Sequence, residues 1–384
     1  MQTKLPVQLI KTPQGQKADN ILRSCVHCGF CSASCPTYQL FGNELDSPRG
    51  RIYLIKSALE NNEFTQNSLQ HLDRCLTCRA CETSCPSGVK YGQLVDIGRE
   101  LVEQKRPLWQ KVARSSIRKF LTSPVLFNFF GAVAKHSSIQ TPSIAQKGNK
   151  GRILLLTGCV QPTLTPNTNH ATKNVLATLG YEVVETTQSE CCGAIDQHAS
   201  TCKNALIKIK WNLDQWLTLL ESGLDTIIST ASGCGVMVKD YPTFFEPEDI
   251  YYQKAVSVAA KTKDIAEFLL AQDLSTLSTE KTRISYHAPC SLQHGQKLPN
   301  LVEGLLDKLG YELIPITDAH LCCGSAGTYS IFQPDISKQL RERKLKHLTQ
   351  SQPDLIVTSN IGCQMHLSKG SKVPVKHWIE LLDC

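Results

Sequence analysis

One cysteine pattern occurs twice near the N-terminus, as Cys25-Val-His-Cys28-Gly-Phe-Cys31-Ser-Ala-Ser-Cys35-Pro36 and again as Cys75-Leu-Thr-Cys78-Arg-Ala-Cys81-Glu-Thr-Ser-Cys85-Pro86. This C-x2-C-x2-C-x3-C-P spacing is the one by which bacterial-type ferredoxins bind a [4Fe–4S] cluster. A disulfide framework or zinc knuckles are the alternatives. A zinc site, however, usually takes its four ligands from two CxxC pairs, and this arrangement does not require the third cysteine that follows each CxxC pair here. The spacing therefore predicts two [4Fe–4S] clusters.

The fourth cysteine of each pattern lies further along the chain than the other three. In two-cluster proteins this cysteine ligates the other cluster. We therefore predict two crossed ligand sets. Cluster site 1 comprises Cys25, Cys28, Cys31 and Cys85, and cluster site 2 comprises Cys75, Cys78, Cys81 and Cys35.

A helix is predicted to begin at Asp46-Ser47-Pro48, shortly after the first pattern. Arg49 and Arg51 lie at this start, where the helix dipole does not favour cations. We expect them to hold a carboxylate, to face the negative charge of a cluster, or to form a solvated turn.

The composition is that of a globular, multidomain protein, with 384 residues, 41% hydrophobic and 20% charged. The 18 cysteines, at ligand spacing in a long chain, indicate metal binding in a reducing compartment. The N-terminus shows no signal-peptide pattern, and no apolar stretch is long enough to span a membrane. The net charge of +7 would fall to roughly +3 with two clusters bound, and no nucleic-acid-binding motif is present. We expect a cytoplasmic protein without nucleic-acid partners.

The expected fold is α+β and multidomain, in four parts. Residues 1–105 are predicted to form a small helical, ferredoxin-like domain around the two clusters. Residues 106–148 form a connecting segment, basic first and apolar later. Its apolar part, residues 125–134, would either pack on the protein itself or contact a partner or the inner face of the membrane. Residues 149–270 and 271–384 are predicted to be two copies of one α/β domain.

The two copies repeat four landmark stretches at offsets of 131, 130, 131 and 129 residues. In each copy, cysteines follow strand-like apolar runs, and sites in open α/β sheets form at the carboxyl ends of strands. Buried structural thiols or a vicinal disulfide are the alternatives. Duplication of the whole set favours a metal centre, since four thiolates suffice for zinc, a [2Fe–2S] or a [4Fe–4S] cluster. Repeat centre 1 comprises Cys159, Cys191, Cys192 and Cys234, and repeat centre 2 comprises Cys290, Cys322, Cys323 and Cys363.

The repeats resemble the cysteine-rich CCG domains of heterodisulfide reductase and related redox subunits. The order of twin cluster motif, linker and two CCG domains is similar, over nearly the whole chain, to the iron–sulfur subunits of glycolate oxidase. The stretches that carry this resemblance are HCGFCSASCPTYQLFGNELDSPRGRIYLIK, DRCLTCRACETSCPSGVKYGQLVDIGR and LCCGSAGTYS. Iron–sulfur subunits of anaerobic glycerol-3-phosphate dehydrogenase and of lactate-utilisation complexes have a similar layout and are the alternatives.

One departure from the heterodisulfide reductase pattern affects the repeat centres. The full CCG motif of that family ends in CxxC, and here Ala231 and Asn360 replace the first cysteine of that ending. The larger thiol set that assembles the special cluster of that family is thus incomplete. His287, His320 and His366 lie near repeat centre 2 in the sequence, and we expect them to be structural hydrogen-bonding residues.

The resemblance implies an electron-transfer subunit of a flavin-dependent 2-hydroxy-acid dehydrogenase complex. Such a complex would oxidise glycolate to glyoxylate and pass electrons singly to a quinone or another carrier. The chain has no GxGxxG fingerprint and no flavin-binding motif, so FAD is expected on partner subunits and no catalytic residue is expected here. The alternatives are a heterodisulfide-reductase-like thiol redox subunit and a zinc-stabilised module that only holds partners.

Overall fold

The computed structural model describes residues 1–122, 148–186, 189–277 and 282–383. The predicted apolar stretch 125–134 therefore lies outside the described residues. Within the described ranges, no helix combines the length and the apolar character needed to cross a bilayer.

The N-terminal part is helical, as predicted. Its helices are α1 (Val7–Ile10), α2 (Pro13–Ser24), α3 (Phe30–Ala33), α4 (Pro36–Phe41), α5 (Pro48–Asn61), α6 (Gln66–Asp73), α7 (Ala80–Thr83), α8 (Tyr91–Glu103) and α9 (Leu108–Thr122), with a 3-10 turn at Glu44–Asp46. Helix α5 begins where the sequence predicts, because Ser47 accepts a hydrogen bond from Gly50 N and Pro48 takes the first helical position. A side chain at Gly50 would collide with the carbonyl oxygen of Glu44.

One hydrophobic core joins these helices to the cysteine loops. Ile55 and Leu94 are completely buried where α5 packs on α8. Cys25, Cys75 and Cys81 belong to the same core. Because these cysteines are part of the core, we expect metal binding and folding of this part to be coupled.

Arginines of helix α9, and one just before it, hold the start of the connecting segment against the protein. Arg106 and Arg114 contact the carboxylate of Asp73 at 2.8 and 3.0 Å. Arg118 pairs with Asp196 of the first repeat at 3.2 Å. These basic side chains are therefore neutralised by carboxylates of the same chain.

Each repeat contains a four-stranded parallel sheet, with order β2-β1-β3-β4 in the first repeat and β6-β5-β7-β8 in the second. The strands are β1 (Arg152–Leu156), β2 (Glu182–Val184), β3 (Thr226–Ser229), β4 (Thr262–Asp264), β5 (Arg283–His287), β6 (Glu312–Leu313), β7 (Leu355–Thr358) and β8 (Val375–His377). The central strands are almost wholly buried, as parallel sheets require. The shared order confirms the predicted duplication of an α/β unit.

Helices connect the parallel strands, because such strands cannot be joined by a tight turn. In the first repeat these are α10 (Gln161–Leu164), α11 (Pro166–Thr178), α12 (Ala194–His198), α13 (Cys202–Glu221), α14 (Ser232–Lys239), a 3-10 turn at Tyr241–Phe244, α15 (Ile250–Lys261) and α16 (Ile265–Leu270). In the second repeat they are a π-helical turn at Ser291–Gly295, α17 (Leu301–Lys308), α18 (Tyr329–Phe332), α19 (Pro334–Thr349), α20 (Ile361–Ser368) and a 3-10 turn at Trp378–Leu381.

The two repeats pack together. A single cluster of buried apolar side chains contains residues from both sheets. The loops that follow β3 and β7 meet directly, since Ser232 N donates to Ser359 O at 3.1 Å. Cys234 and Cys363 lie just beyond these two serines, so the corresponding parts of the two repeat centres adjoin one junction.

Candidate cluster and metal centres

Cluster site 1 is a cavity close to the protein surface. The four predicted ligands all line it: Cys25, Cys28, Cys31 and Cys85. Cys85 comes from the second pattern, so the structure brings the crossed set around one cavity. Cys81 borders the same cavity, which makes cluster site 2 its direct neighbour. Arg49 also lines the cavity and pairs with Glu44 at 2.7 Å.

Both cysteine loops use the same backbone turn. His27 and Gly29 flank the second cysteine of the first pattern with φ of 59° and 86°, and Thr77 and Arg79 flank that of the second pattern with φ of 54° and 60°. Left-handed residues turn the chain sharply, so that three neighbouring thiols can face one point. For a non-glycine residue this conformation costs about 1–2 kcal/mol. We infer that a bound cluster offsets this cost.

Cluster site 2 lies deeper in the protein. Cys35 is 6% exposed and lies near the three close cysteines of the second pattern. Burial, followed by the charges of Cys78, Cys75 and Cys35, raises the pKa of the Cys81 thiol. Buried thiols this close together need a positive counter-charge to bind as thiolates, and iron supplies it. The donor set therefore fits an iron–sulfur cluster.

Polar groups approach the sulfur atoms of cluster site 2. Tyr91 Oη donates to Cys75 Sγ at 3.5 Å, and Arg51 Nη1 lies 3.8 Å from Cys35 Sγ. Arg51 is 1% exposed and pairs with the buried carboxylate of Asp46 at 3.3 Å. This arginine thus combines two of the roles considered above, because it holds a carboxylate and faces a cluster site. Such contacts to sulfur tune the reduction potential of a cluster.

Repeat centre 1 brings its four predicted thiols together. Cys191 is hydrogen-bonded to Cys159 and Cys192, and Cys192 in turn to Cys234. Gly193 follows with φ of 90°. This left-handed turn allows two adjacent cysteines to face the same side.

Repeat centre 2 repeats this arrangement. Cys290 Sγ lies 3.8 Å from Cys322 Sγ, and Cys323 is hydrogen-bonded to Cys322 and Cys363. Gly324, with φ of 93°, donates its N–H to Cys322 Sγ at 3.5 Å. The cysteines of both centres are free thiols in the described chain, which argues against a vicinal disulfide.

A buried histidine also reaches repeat centre 2. The ligand atoms of His287, Cys323 and Cys363 lie within 4.8 Å of one another, and all three residues are buried. His366 instead contacts a serine hydroxyl at 3.2 Å, as expected of a structural histidine, and His320 is exposed. The signal in the sequence that distinguishes His287 is its position at the carboxyl end of a strand-like run.

Cluster site 2 lies against repeat centre 2. Cys78 and Cys290 pack on the same small core around Tyr329. Tyr329 Oη also donates to the backbone just before the second cysteine pattern, at 3.1 Å. The first repeat meets the second cysteine loop through charged groups, as in the 2.6 Å pair between Arg79 and Asp240. The N-terminal part therefore places thiols, and not only charges, against the second repeat.

Comparison with known proteins assigns families to both parts of the chain. A 4Fe-4S dicluster domain matches residues 21–89. A cysteine-rich domain named CCG matches residues 153–239 and 284–368. The first range contains the twin cysteine pattern, and each CCG range covers the first three strands of one parallel sheet, while the fourth strands, β4 and β8, lie beyond it.

Several curated proteins are similar to this chain. The glycolate oxidase iron-sulfur subunit of Escherichia coli K12 is 45% identical over 401 aligned positions, which cover 100% of this chain and 98% of the relative. A probable glycolate oxidase iron-sulfur subunit of Bacillus subtilis 168 is 29% identical, covering 94% and 93% of the two chains. Lactate utilization protein A of an Exiguobacterium strain is 26% identical over 60% of this chain and 96% of its own length.

Proposed function

Because the chain belongs to the family of glycolate oxidase iron–sulfur subunits, we propose that it carries electrons within a complex that oxidises glycolate to glyoxylate. This oxidation releases two electrons and two protons. A bound [4Fe–4S] cluster accepts and releases one electron at a time. The FAD that takes both electrons belongs on partner subunits, since this sequence has no flavin-binding motif. The final acceptor is a quinone or another carrier.

The contact between cluster site 2 and repeat centre 2 carries this proposal. Cluster site 1 adjoins cluster site 2 through Cys81, and cluster site 2 adjoins repeat centre 2 through Cys78 and Cys290. Three sulfur-rich sites therefore follow one another from the surface into the protein. A series of adjacent one-electron sites is what an electron relay requires.

The outer end of this series has the features of a docking site for a redox partner. Cys28 is exposed, and the neighbouring side chains Val26 and Phe30 are 66% and 65% exposed. Apolar side chains that remain exposed beside a functional group mark interaction surfaces. We assign this rim to the partner subunit that holds the flavin.

We also propose peripheral contact with the membrane, where a quinone acceptor would be found. Leu108, Trp109 and Val112 of helix α9 are 76%, 71% and 57% exposed, and cations lie on the same helix. An exposed apolar face with nearby lysines suits a membrane surface. Replacing Leu108 and Trp109 by serine should lower binding of the complex to anionic vesicles, and unchanged binding would rule this contact out.

The electron-transfer proposal is tested by assembling the full chain with its flavin-containing partner subunits. Glycolate-dependent reduction of a quinone analogue is then measured. We expect turnover from the complex and none from this chain alone. Cys85→Ser, which removes a ligand of cluster site 1, should lower turnover about tenfold or more. Cys202→Ser, outside the four sites, should leave turnover unchanged. Turnover by the chain alone, or full activity of Cys85→Ser, would contradict the proposal.

A further inference from the structure

We infer that His287 is a metal ligand of repeat centre 2, where its Nε2 binds iron together with the sulfurs of Cys323 and Cys363. This inference deepens the proposed function and rests on it for the place of repeat centre 2 in the electron relay. It makes the two repeat centres chemically different. Repeat centre 1 binds its metal through sulfur, whereas repeat centre 2 uses sulfur and nitrogen.

The imidazole of His287 is held in one orientation and has one nitrogen unused. His287 is the last residue of β5 and is 2% exposed. Its Nδ1 contacts Thr358 Oγ1 on the adjacent strand β7 at 3.0 Å. Its Nε2 is buried and has no hydrogen-bond partner among the described residues. A buried nitrogen without a partner is costly, and a metal bond would satisfy it.

Of the two ring nitrogens, Nε2 is the one free to bind a metal beside the thiols, because Nδ1 contacts Thr358 Oγ1. His287, Cys323 and Cys363 have their ligand atoms within 4.8 Å of one another. Metal–sulfur bonds of about 2.3 Å and metal–nitrogen bonds of about 2.1 Å would place such atoms around one ion after a small contraction. One ring nitrogen on a hydroxyl and the other on a metal is also the usual arrangement of a ligating histidine, because the hydrogen bond fixes the tautomer.

The corresponding position of the first repeat cannot supply a nitrogen. Strand β1 matches β5, with Arg152 in the place of Arg283, so Leu156 occupies the place of His287. Leu156 is apolar and 8% exposed. The imidazole is therefore a feature of the second repeat and not of the shared fold.

A second substitution accompanies the histidine. Asn360, which stands where the longer CCG motif has a cysteine, brings its amide nitrogen to 3.6 Å from Cys363 Sγ. Its amide oxygen accepts from Gly233 N of the first repeat at 3.3 Å. In place of a thiolate ligand, Asn360 therefore supplies an N–H that donates a hydrogen bond to the ligand Cys363. On the adjacent strand β5, the neutral imidazole of His287 adds a further metal ligand. Absence of the motif cysteine leaves one negative charge fewer at the centre, and the imidazole adds a ligand without adding charge, so both features favour a higher reduction potential.

The test compares matched histidine variants of the full chain, purified without oxygen. Pulsed electron paramagnetic resonance of the reduced protein should detect a histidine nitrogen bonded to iron. His287→Gln should lose this nitrogen signal, while His366→Gln, which changes a buried histidine of the same repeat, should keep it. His287→Cys offers iron a sulfur instead. The His287→Cys variant should retain iron and lower the reduction potential of repeat centre 2. Retained iron would show that the nitrogen signal is lost because the ligand has changed and not because the protein is unfolded.

The spectroscopic result is independent of glycolate turnover. A nitrogen signal that is absent from the unmodified protein, or that persists in His287→Gln, overturns the ligand assignment even if the complex oxidises glycolate. Zinc in place of iron at repeat centre 2 overturns it as well. A complex that shows the signal but never oxidises glycolate would leave the ligand in place and contradict the proposed function.

Discussion

The two CCG repeats have the same strand order and the same four thiols, yet they differ in what surrounds those thiols. The first strand ends at Leu156 in one repeat and at His287 in the other. Only in the second repeat do described cysteines pack against those of the N-terminal cluster domain, through Cys290 and Cys78. The two repeats thus share a strand order and a set of thiols, but the second repeat is the one whose thiols contact the N-terminal cluster domain.

The largest expected effect concerns the second cysteine of each CCG sequence. Cys323→Ser removes a ligand of repeat centre 2 and should lower glycolate-dependent turnover of the complex about tenfold or more. Cys192→Ser changes the matching ligand of repeat centre 1, whose described thiols share no apolar core with those of cluster site 2, and should cost less than about threefold. Turnover and iron content measured on both variants check this. Equal losses in the two variants would mean that the repeats contribute alike.

The glycine of each CCG sequence should differ in its tolerance of alanine. Gly193 and Gly324 both have left-handed φ, of 90° and 93°, so alanine costs about 1–2 kcal/mol at either place. At Gly324 the new Cβ would also lie 2.7 Å from Ser337 O, whereas at Gly193 the nearest atom would be Ala205 O, 3.4 Å away. Crowding adds about 1–3 kcal/mol.

Denaturant unfolding without oxygen measures this comparison. The free energy of unfolding should fall by about 2–5 kcal/mol in Gly324→Ala. It should fall by only about 1–2 kcal/mol in Gly193→Ala. If Gly193→Ala proved the more destabilising variant, the tighter packing assigned to the second CCG turn would be wrong.

The residues that end the fourth strands should give the repeats opposite pH dependence. Asp264 and His377 each cap the next helix in a capping box. Burial raises the pKa of Asp264 to about 7 and lowers the pKa of His377 to about 4. Between about pH 4 and 7, folded Asp264 keeps a proton that the unfolded chain has released, so its contribution to stability falls as pH rises. Folded His377 lacks a proton that the unfolded chain binds below about pH 6.5, so its contribution rises with pH.

Each contribution changes by about 1.4 kcal/mol per pH unit, and the two oppose each other in the unmodified protein. Relative to that protein, Asp264→Asn should make the free energy of unfolding increase more steeply from pH 4 to 7. His377→Asn should make it decrease with pH over the same range. Unfolding curves at several pH values measure the slopes. Slopes that match the unmodified protein in both variants would show that neither group titrates abnormally.

The smallest expected effect is at the missing motif cysteine. Asn360→Ala removes a donor to Cys363 and the link to Gly233, and should cost about 1 kcal/mol of unfolding free energy. It should also lower the reduction potential of repeat centre 2, because hydrogen bonds to sulfur raise it. Redox titration measures the shift, with the exposed Asn61→Ala as control. An unchanged potential would exclude Asn360 from tuning the centre.

Much of this organisation could be predicted from the sequence because it is local. Three ligands of each cluster site are close in sequence, and the four landmark stretches of the repeats are short, so spacing and repetition indicated the sixteen candidate thiols. The crossed fourth ligands followed from the rule for two-cluster proteins. The capped start of α5 at Ser47 was predictable for the same reason. The role of His287 was not, because it depends on which strand lies beside β5 and on where the loops carrying Cys323 and Cys363 fold back.

The contact of Cys78 with Cys290 could not be predicted from the sequence either. It joins residues more than two hundred positions apart, and no periodicity or spacing records how one domain packs on another. Arg51 shows an intermediate case. Its position at a helix start is unfavourable for a cation, which indicates a special role. The sequence alone is compatible with a carboxylate partner, a cluster or a solvated turn, and only the fold places Asp46 and Cys35 beside it.

The relay through the second repeat is tested most directly by magnetic coupling between centres. The complex is reduced with glycolate, and electron paramagnetic resonance records the reduced cluster at cluster site 2. Coupling to the adjacent cluster site 1 should broaden the signal in every variant. We predict a further broadening from repeat centre 2, which Cys323→Ser abolishes and Cys192→Ser leaves intact. If this further broadening survives Cys323→Ser but disappears in Cys192→Ser, the relay passes through the first repeat, which contradicts the proposed route.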